Sequence, residues 1–181
     1  RPVAVFLAVA FGVSLTTPFV YQAVPTYLQS LGLPRGRVAL AMTLGQVPEI
    51  VALAVLPKLL TRLGVRRTLA LGVVAWSVYY FNLAARPPLW LALAGLPLNG
   101  VAIACFIVAG QMFLDSQAPA DRRASAQAVH VVVTSGLGSM LGNLLAGEVT
   151  TWNGGVGAAV FVVPCALNAA LLVVLVWAFR P

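Results

Sequence analysis

Six apolar stretches of roughly 18–27 residues follow one another along the chain, near 2–28, 38–60, 68–85, 89–114, 124–147 and 157–179. A helix rises 1.5 Å per residue, so about 20 apolar residues cross the hydrocarbon of a bilayer. Each stretch reaches that length. The joints between them, such as Gly32-Leu33-Pro34-Arg35-Gly36 and Arg86-Pro87-Pro88, collect the glycine, proline and charge at which helices stop. Hydrophobic residues make up 61% of the chain and charged residues 8%, far from the quarter charged of a soluble domain. The expectation is an all-α integral membrane protein, residues 1–181 forming one six-helix transmembrane bundle with the lipid bilayer as its surroundings.

The net charge of +7 comes from basic residues at helix ends, with no basic patch interleaved with exposed aromatics, so no nucleic-acid partner is expected. With six spans, one side collects Arg1, Arg62, Arg66, Arg67, Arg122, Arg123 and Arg180, and the other has Arg35, Arg37 and Arg86. The positive-inside rule then places both termini in the cytoplasm, in a plasma or bacterial inner membrane, and Lys58 supports the same side. Trp90, Trp152 and Trp177 fall close to helix ends, where interfacial aromatics sit. The chain opens at Arg1 straight into an apolar segment without the features of a signal peptide, which suggests a piece of a longer chain.

Glu49 stands inside the apolar run from Val38 to Leu56. An ionisable group at mid-membrane costs about 2.5–3.5 kcal/mol on insertion scales, so such residues face a protein interior or a watery cavity. Gln46 is three residues earlier and shares its helix face, so the two side chains look into one space. A structural helix-to-helix hydrogen bond is the competing reading. Other polar stripes recur at helical spacing: Ser14, Thr17 and Tyr21 beside Pro18 and Pro25 in the first helix, and Arg123, Gln127, His130 and Thr134 in the fifth. The prolines predict a kink in the first helix. The fifth also carries the small-residue rows Gly138, Gly142, Ala146 and Ser135, Ser139, Asn143, which allow close approach to another helix of this chain or to a partner half. Lone His130 reads first as a hydrogen-bonded structural residue. Trp76, Tyr79, Tyr80 and Phe81 read as packing or lipid-facing, Asn99 and Asn168 as possible interhelical glue, and Cys105 and Cys165 as packing residues without metal-ligand spacing. No metal and no cofactor are expected.

The run from Pro57 to Arg67 resembles the basic loop between the second and third helices of each half of major facilitator superfamily transporters; Arg62, Gly64 and the pair Arg66-Arg67 match, while Pro57 and Thr61 stand at the usual first glycine and acid. Over residues 20–148 the chain is similar to the carboxy-terminal half of the nucleoside:proton symporter family. The similarity rests on Gly45-Gln46-Val47-Pro48-Glu49, Leu63-Gly64, Ala75-Trp76, Gly110-Gln111-Met112-Phe113 ahead of Asp115, and Arg123-Ala124-Ser125-Ala126-Gln127. It implies helices seven to twelve of a twelve-helix transporter, a midplane cavity shared with a missing amino-terminal six-helix half, and a nucleoside-like solute. It also implies that Gln46 and Glu49 hydrogen-bond the sugar hydroxyls, since a carboxylate accepts from two vicinal hydroxyls and an amide both donates and accepts. Tyr21, Thr17 and Asn99 are further substrate-binding candidates. Tyr79 stands where the family typically has an arginine and Ala104 where it places an aspartate linked to proton coupling, which leaves Glu49 and His130 as the proton-coupling candidates of this half.

A secondary active transporter working by alternating access is therefore the expected function. A transport-dead scaffold or receptor derived from a transporter half is the alternative. An intramembrane serine protease would need a Gly-x-Ser-Gly elbow with a histidine on a later helix, and an aquaporin-like channel would need paired Asn-Pro-Ala half-helices; the chain has neither set. No enzymatic activity is expected.

Overall fold

The computed structural model describes residues 2–179. Arg1 and Arg180, used above for topology, lie outside them. All regular structure is helical: α1 (Pro2–Ser14), α2 (Thr17–Ser30), α3 (Arg35–Thr43), α4 (Gln46–Ala84), α5 (Leu89–Ala102), a π-helical segment at Ile103–Val108, α6 (Ala109–Gln117), α7 (Arg123–Val131), a second π segment at Val132–Gly138, α8 (Ser139–Trp152) and α9 (Val162–Ala178), with short 3₁₀ turns at Ala120–Arg122 and Ala158–Phe161.

Among the described residues, five continuous helical stretches are long and apolar enough to cross a membrane: Pro2–Ser30, Arg35–Ala84, Leu89–Gln117, Ala120–Trp152 and Ala158–Ala178. The expected second and third helices share the stretch of 50 residues. Straight, it would be about 75 Å long, more than twice the ~30 Å hydrocarbon core. It is not straight, because Gly64 interrupts it at φ 75° and ψ 166°, a conformation essentially reserved for glycine. Arg66 braces this break by donating from its guanidinium to the Val176 carbonyl near the end of α9.

The first stretch is broken where its prolines predict. Pro18 has no N–H to give the preceding turn, and the helix parts at Leu15 and Thr16. The polar groups released there are satisfied by side chains from two distant helices. Thr16, 1% exposed, donates its hydroxyl to the Val13 carbonyl (2.7 Å) and accepts from Asn168 Nδ2 on α9 (3.0 Å), while its carbonyl accepts the Tyr80 hydroxyl of α4 (2.7 Å). Asn168 thus does bridge helices. Pro25 leaves α2 unbroken, and the turn that follows α2 is made at Gly32, whose φ of 99° lets the Leu33 N–H reach back to the Leu28 carbonyl (3.0 Å).

The core runs between α1, α2, the second part of α4, α5 and α9. Trp76, Tyr79, Tyr80, Phe6, Phe19 and Phe161 are its largest fully buried side chains, so three of the four aromatics from 76 to 81 pack inside, and Phe81 faces out at 67% exposed. Cys105 is buried and Cys165 half-buried, both as free thiols. Trp90, Trp152 and Trp177 stand exposed at helix ends. The glycine row of the stretch Ala120–Trp152 packs within this chain. A Cβ on Gly138 would sit 2.8 Å from Ser14 Cβ, and one on Gly142 would sit 2.9 Å from Leu15 Cα, so these glycines let that stretch close on the broken first one. Ser135 and Asn143 of the other row are exposed.

Candidate functional site

A cavity of about 270 Å³ opens where α3 gives way to α4, and it is lined by Tyr21, Pro25, Met42, Gln46, Glu49, Asn99 and Ile103 with Gly45 at its edge. Four of the five predicted substrate-binding residues meet there: Gln46, Glu49, Tyr21 and Asn99. Each wall supplies residues at helical spacing. Tyr21 and Pro25 come from α2, Met42, Gln46 and Glu49 from either side of the α3–α4 junction, and Asn99 and Ile103 from α5 and the π segment after it. Met42 and Ile103 were not foreseen, although both lie four residues from a predicted lining residue, which was the available signal.

The α3–α4 junction has a local cause. Gly45 begins α4 without a side-chain cap, and Pro48 occupies the first turn, where a missing N–H costs no intrahelical bond. Glu49 falls in that same turn, the end of a helix that favours negative charge. The sequence reasoning missed what packs beneath it. A Cβ on Gly100 of α5 would lie 2.7 Å from the Glu49 backbone nitrogen and 3.0 Å from Glu49 Cβ, so α5 approaches the junction backbone to backbone. This contact positions Glu49.

Gln46 is exposed and Glu49 half-buried, and neither side chain hydrogen-bonds another described residue. A structural helix-to-helix bond would have consumed those groups. Asn99 is different: its Oδ1 accepts from the buried Trp76 indole at 3.0 Å, which fixes the amide plane and leaves its two N–H donors on Nδ2. Tyr21, 61% exposed, presents a phenol at the cavity mouth. The set offers a carboxylate that accepts, amides that donate and accept, and a phenol, arranged around a solute-sized space with apolar floor residues. That is the donor and acceptor balance a polyhydroxylated solute needs.

Thr17 lies elsewhere. Although one turn from Tyr21, it lines a second cavity, of about 120 Å³, together with His130, Ser14, Gln111, Thr134, Ser135 and Ser139. The expected single face of Ser14, Thr17 and Tyr21 is therefore divided: Ser14 and Thr17 share a cavity with residues of α7, the second π segment and α8, whereas Tyr21 shares one with residues of α3, α4 and α5. His130 is 4% exposed, stacks on Phe6 with ring centroids 5.7 Å apart at 16°, and has no hydrogen-bond partner on Nδ1. The expectation of a histidine hydrogen-bonded to a neighbour through its ring is not met. Gln127, two turns from Thr134 on the same stripe, donates instead to Asp115 Oδ1 (2.9 Å) and the Gln111 carbonyl (3.0 Å). Tyr79 and Ala104 are fully buried. Among the described residues no cluster of histidine, cysteine, aspartate and glutamate could hold a metal ion.

The sequence model of the family described as nucleoside H+ symporter matches residues 1–181. Among curated relatives, the chain is 30% identical over 148 residues to the putative nucleoside transporter YegT of Escherichia coli (79% of this chain, 34% of that one). It is 26% identical over 115 residues to the nucleoside permease NupG of Escherichia coli (61% and 28%) and 25% identical over 113 residues to the xanthosine permease of Escherichia coli (60% and 27%). The matched segments thus span about a third or less of these relatives' lengths. In fold, the chain superimposes on crystal structures of NupG, with TM-scores of 0.87 for a mutant and 0.79 for a second structure, at 20% identity, covering 99% of this chain and 48% and 47% of those chains.

Proposed function

The chain belongs to the nucleoside H+ symporter family, and from that premise we propose that it is the carboxy-terminal half of a major facilitator superfamily transporter that carries a nucleoside-like solute by alternating access. Its 181 residues then form one six-helix bundle, the break at Gly64 separating the second crossing from the third. The missing amino-terminal half closes the cavity from the side on which Gln46 and Tyr21 are exposed, and both termini lie in the cytoplasm of a plasma or bacterial inner membrane. The family and the apolar helices support an integral membrane protein.

The observation that carries the reading is that Gln46 and Glu49 line one cavity with Tyr21 and Asn99 while making no hydrogen bond of their own to the described residues. Glu49 takes two vicinal hydroxyls, Gln46 one donor and one acceptor, and Asn99 supplies the N–H groups left free by Trp76. Proton coupling in this half falls to Glu49 or His130. The test is uptake by the full protein across a nucleoside panel at two external pH values. Glu49→Gln and Gln46→Ala each orphan a hydroxyl partner, a loss of about 1–3 kcal/mol, so affinity falls roughly tenfold or more. Wild-type affinity in both variants would overturn the site. A protein that binds nucleosides but moves none would favour the transport-dead scaffold, a reading supported by the neutral, fully buried Tyr79 and Ala104.

A further inference from the structure

The second cavity lies where three departures from regular helix converge. Ser14 and Thr17 flank the break in the first stretch, Phe106 and Ile107 belong to the π segment Ile103–Val108, and Thr134 and Ser135 belong to the π segment Val132–Gly138. π segments cost hydrogen-bond geometry and concentrate at functional sites, and irregular backbone at membrane depth persists where it lines a watery cavity. A volume of about 120 Å³ with hydroxyls on several walls accommodates several waters. The chain's single histidine lines this space, more than nine-tenths buried, and its Nδ1 is enclosed without a partner. A position needed only for packing would be served by an apolar ring, as at neighbouring Phe6, without an orphaned nitrogen.

We propose that this cavity is a proton-binding site of the transport cycle, distinct from the solute cavity, and that His130 is the group that takes the proton. The inference rests on the proposed transport function. A proton delivered by hydronium bonds to the free ring lone pair of neutral imidazole and leaves water; nothing is oxidised, and one positive charge enters the cavity. Two features receive that charge. The Phe6 ring lies parallel to the imidazole at 5.7 Å, within reach of a cation–π interaction. The hydroxyls of Ser14 and Thr134 already donate to main-chain carbonyls, which leaves their lone pairs free to accept. No lining residue from α1, α2, the first π segment, α6 or the histidine's own stretch carries a charge. Asp115, one turn beyond Gln111, is held by Gln127, and Glu49 faces the other cavity. α2 joins the two sites, since Thr17 lines one and Tyr21 the other.

The test uses the full protein in liposomes with uridine as the probe. With an inward proton gradient and one proton per solute, wild type accumulates uridine up to about tenfold per pH unit. H130Q is expected to bring accumulation close to unity while uridine counterflow stays measurable. F6L, which removes the π face but no titratable group, is expected to move the pH midpoint of accumulation about half a unit to one unit toward acid, because the protonated form loses support. F6L also keeps the proposal testable if H130Q does not fold. Concentration by H130Q as strong as wild type, or an unmoved midpoint in F6L, would overturn the proposal. Wild type that exchanges uridine without pH-driven accumulation would overturn it too while leaving the transport reading intact, whereas wild type with neither exchange nor uptake of any nucleoside would overturn both.

Discussion

Gly100 of α5 lies against the backbone of Glu49 so closely that a single added methyl would meet the Glu49 nitrogen at 2.7 Å. The carboxylate at the candidate solute cavity is held by a glycine 51 positions away in the chain. Gly100→Ala should therefore push α5 off the α3–α4 junction, with an overpacking cost of about 1–3 kcal/mol and a loss of solute binding. Gly147→Ala is the matched control, since nothing lies within 4 Å of its Cβ position. Thermal stability in detergent and solute affinity, measured on both, check this; equal behaviour of the two variants would refute it.

At Gly64, φ 75° and ψ 166° cannot be adopted by a residue with a Cβ at low cost. Gly64→Ala should destabilise the protein by about 1–3 kcal/mol although its Cβ position is sterically open, because the penalty is in the backbone. A lowered melting temperature is the expected readout. An unchanged one would mean that the break between residues 63 and 65 is not a fixed feature of the fold.

Tyr80→Phe removes the hydroxyl that caps the Thr16 carbonyl at the break in the first stretch. Interhelical hydrogen bonds in membrane proteins contribute about 0.6 kcal/mol on average and up to about 1.7, so a drop in stability within that range is expected. Tyr79→Phe should cost less or even stabilise, because the Tyr79 hydroxyl is buried without a partner. The two neighbouring tyrosines lose the same atom, so a difference between them in thermal unfolding reports the hydrogen bond and not size.

Tyr21 and Thr17 should separate in the same way for binding. Tyr21→Ala strips a wall from the candidate solute cavity and should weaken solute affinity, whereas Thr17→Val alters the neighbouring cavity and should shift the pH dependence of uptake more than the affinity. Isothermal binding and pH-dependent uptake on the two variants decide between divided and shared cavities; a larger affinity loss for Thr17→Val would return Thr17 to the solute site.

Hydropathy by itself determined that the chain is helical and membrane-embedded, because the length of each apolar run and the breakers between runs are local properties. The shared direction of Gln46 and Glu49 was equally legible, since a spacing of three residues sets an angle within one helix. Only the tertiary structure decided what each face meets. Thr17 and Tyr21, four residues apart, share a helix face as Gln46 and Glu49 do, yet different neighbouring helices divide them between two cavities. The row of Gly138 and Gly142 left open whether it approaches another helix or a partner half, and the first stretch resolved it by bringing the Ser14 side chain against Gly138 and the Leu15 backbone against Gly142. His130 looked like an ordinary hydrogen-bonded histidine from its own stripe, and Phe6, 124 positions earlier, stacks on it instead. Periodicity fixes rotation about one helix axis; the identity of the partner depends on how helices cross, and in this chain the crossings are set by glycines and proline-induced breaks whose consequences are non-local.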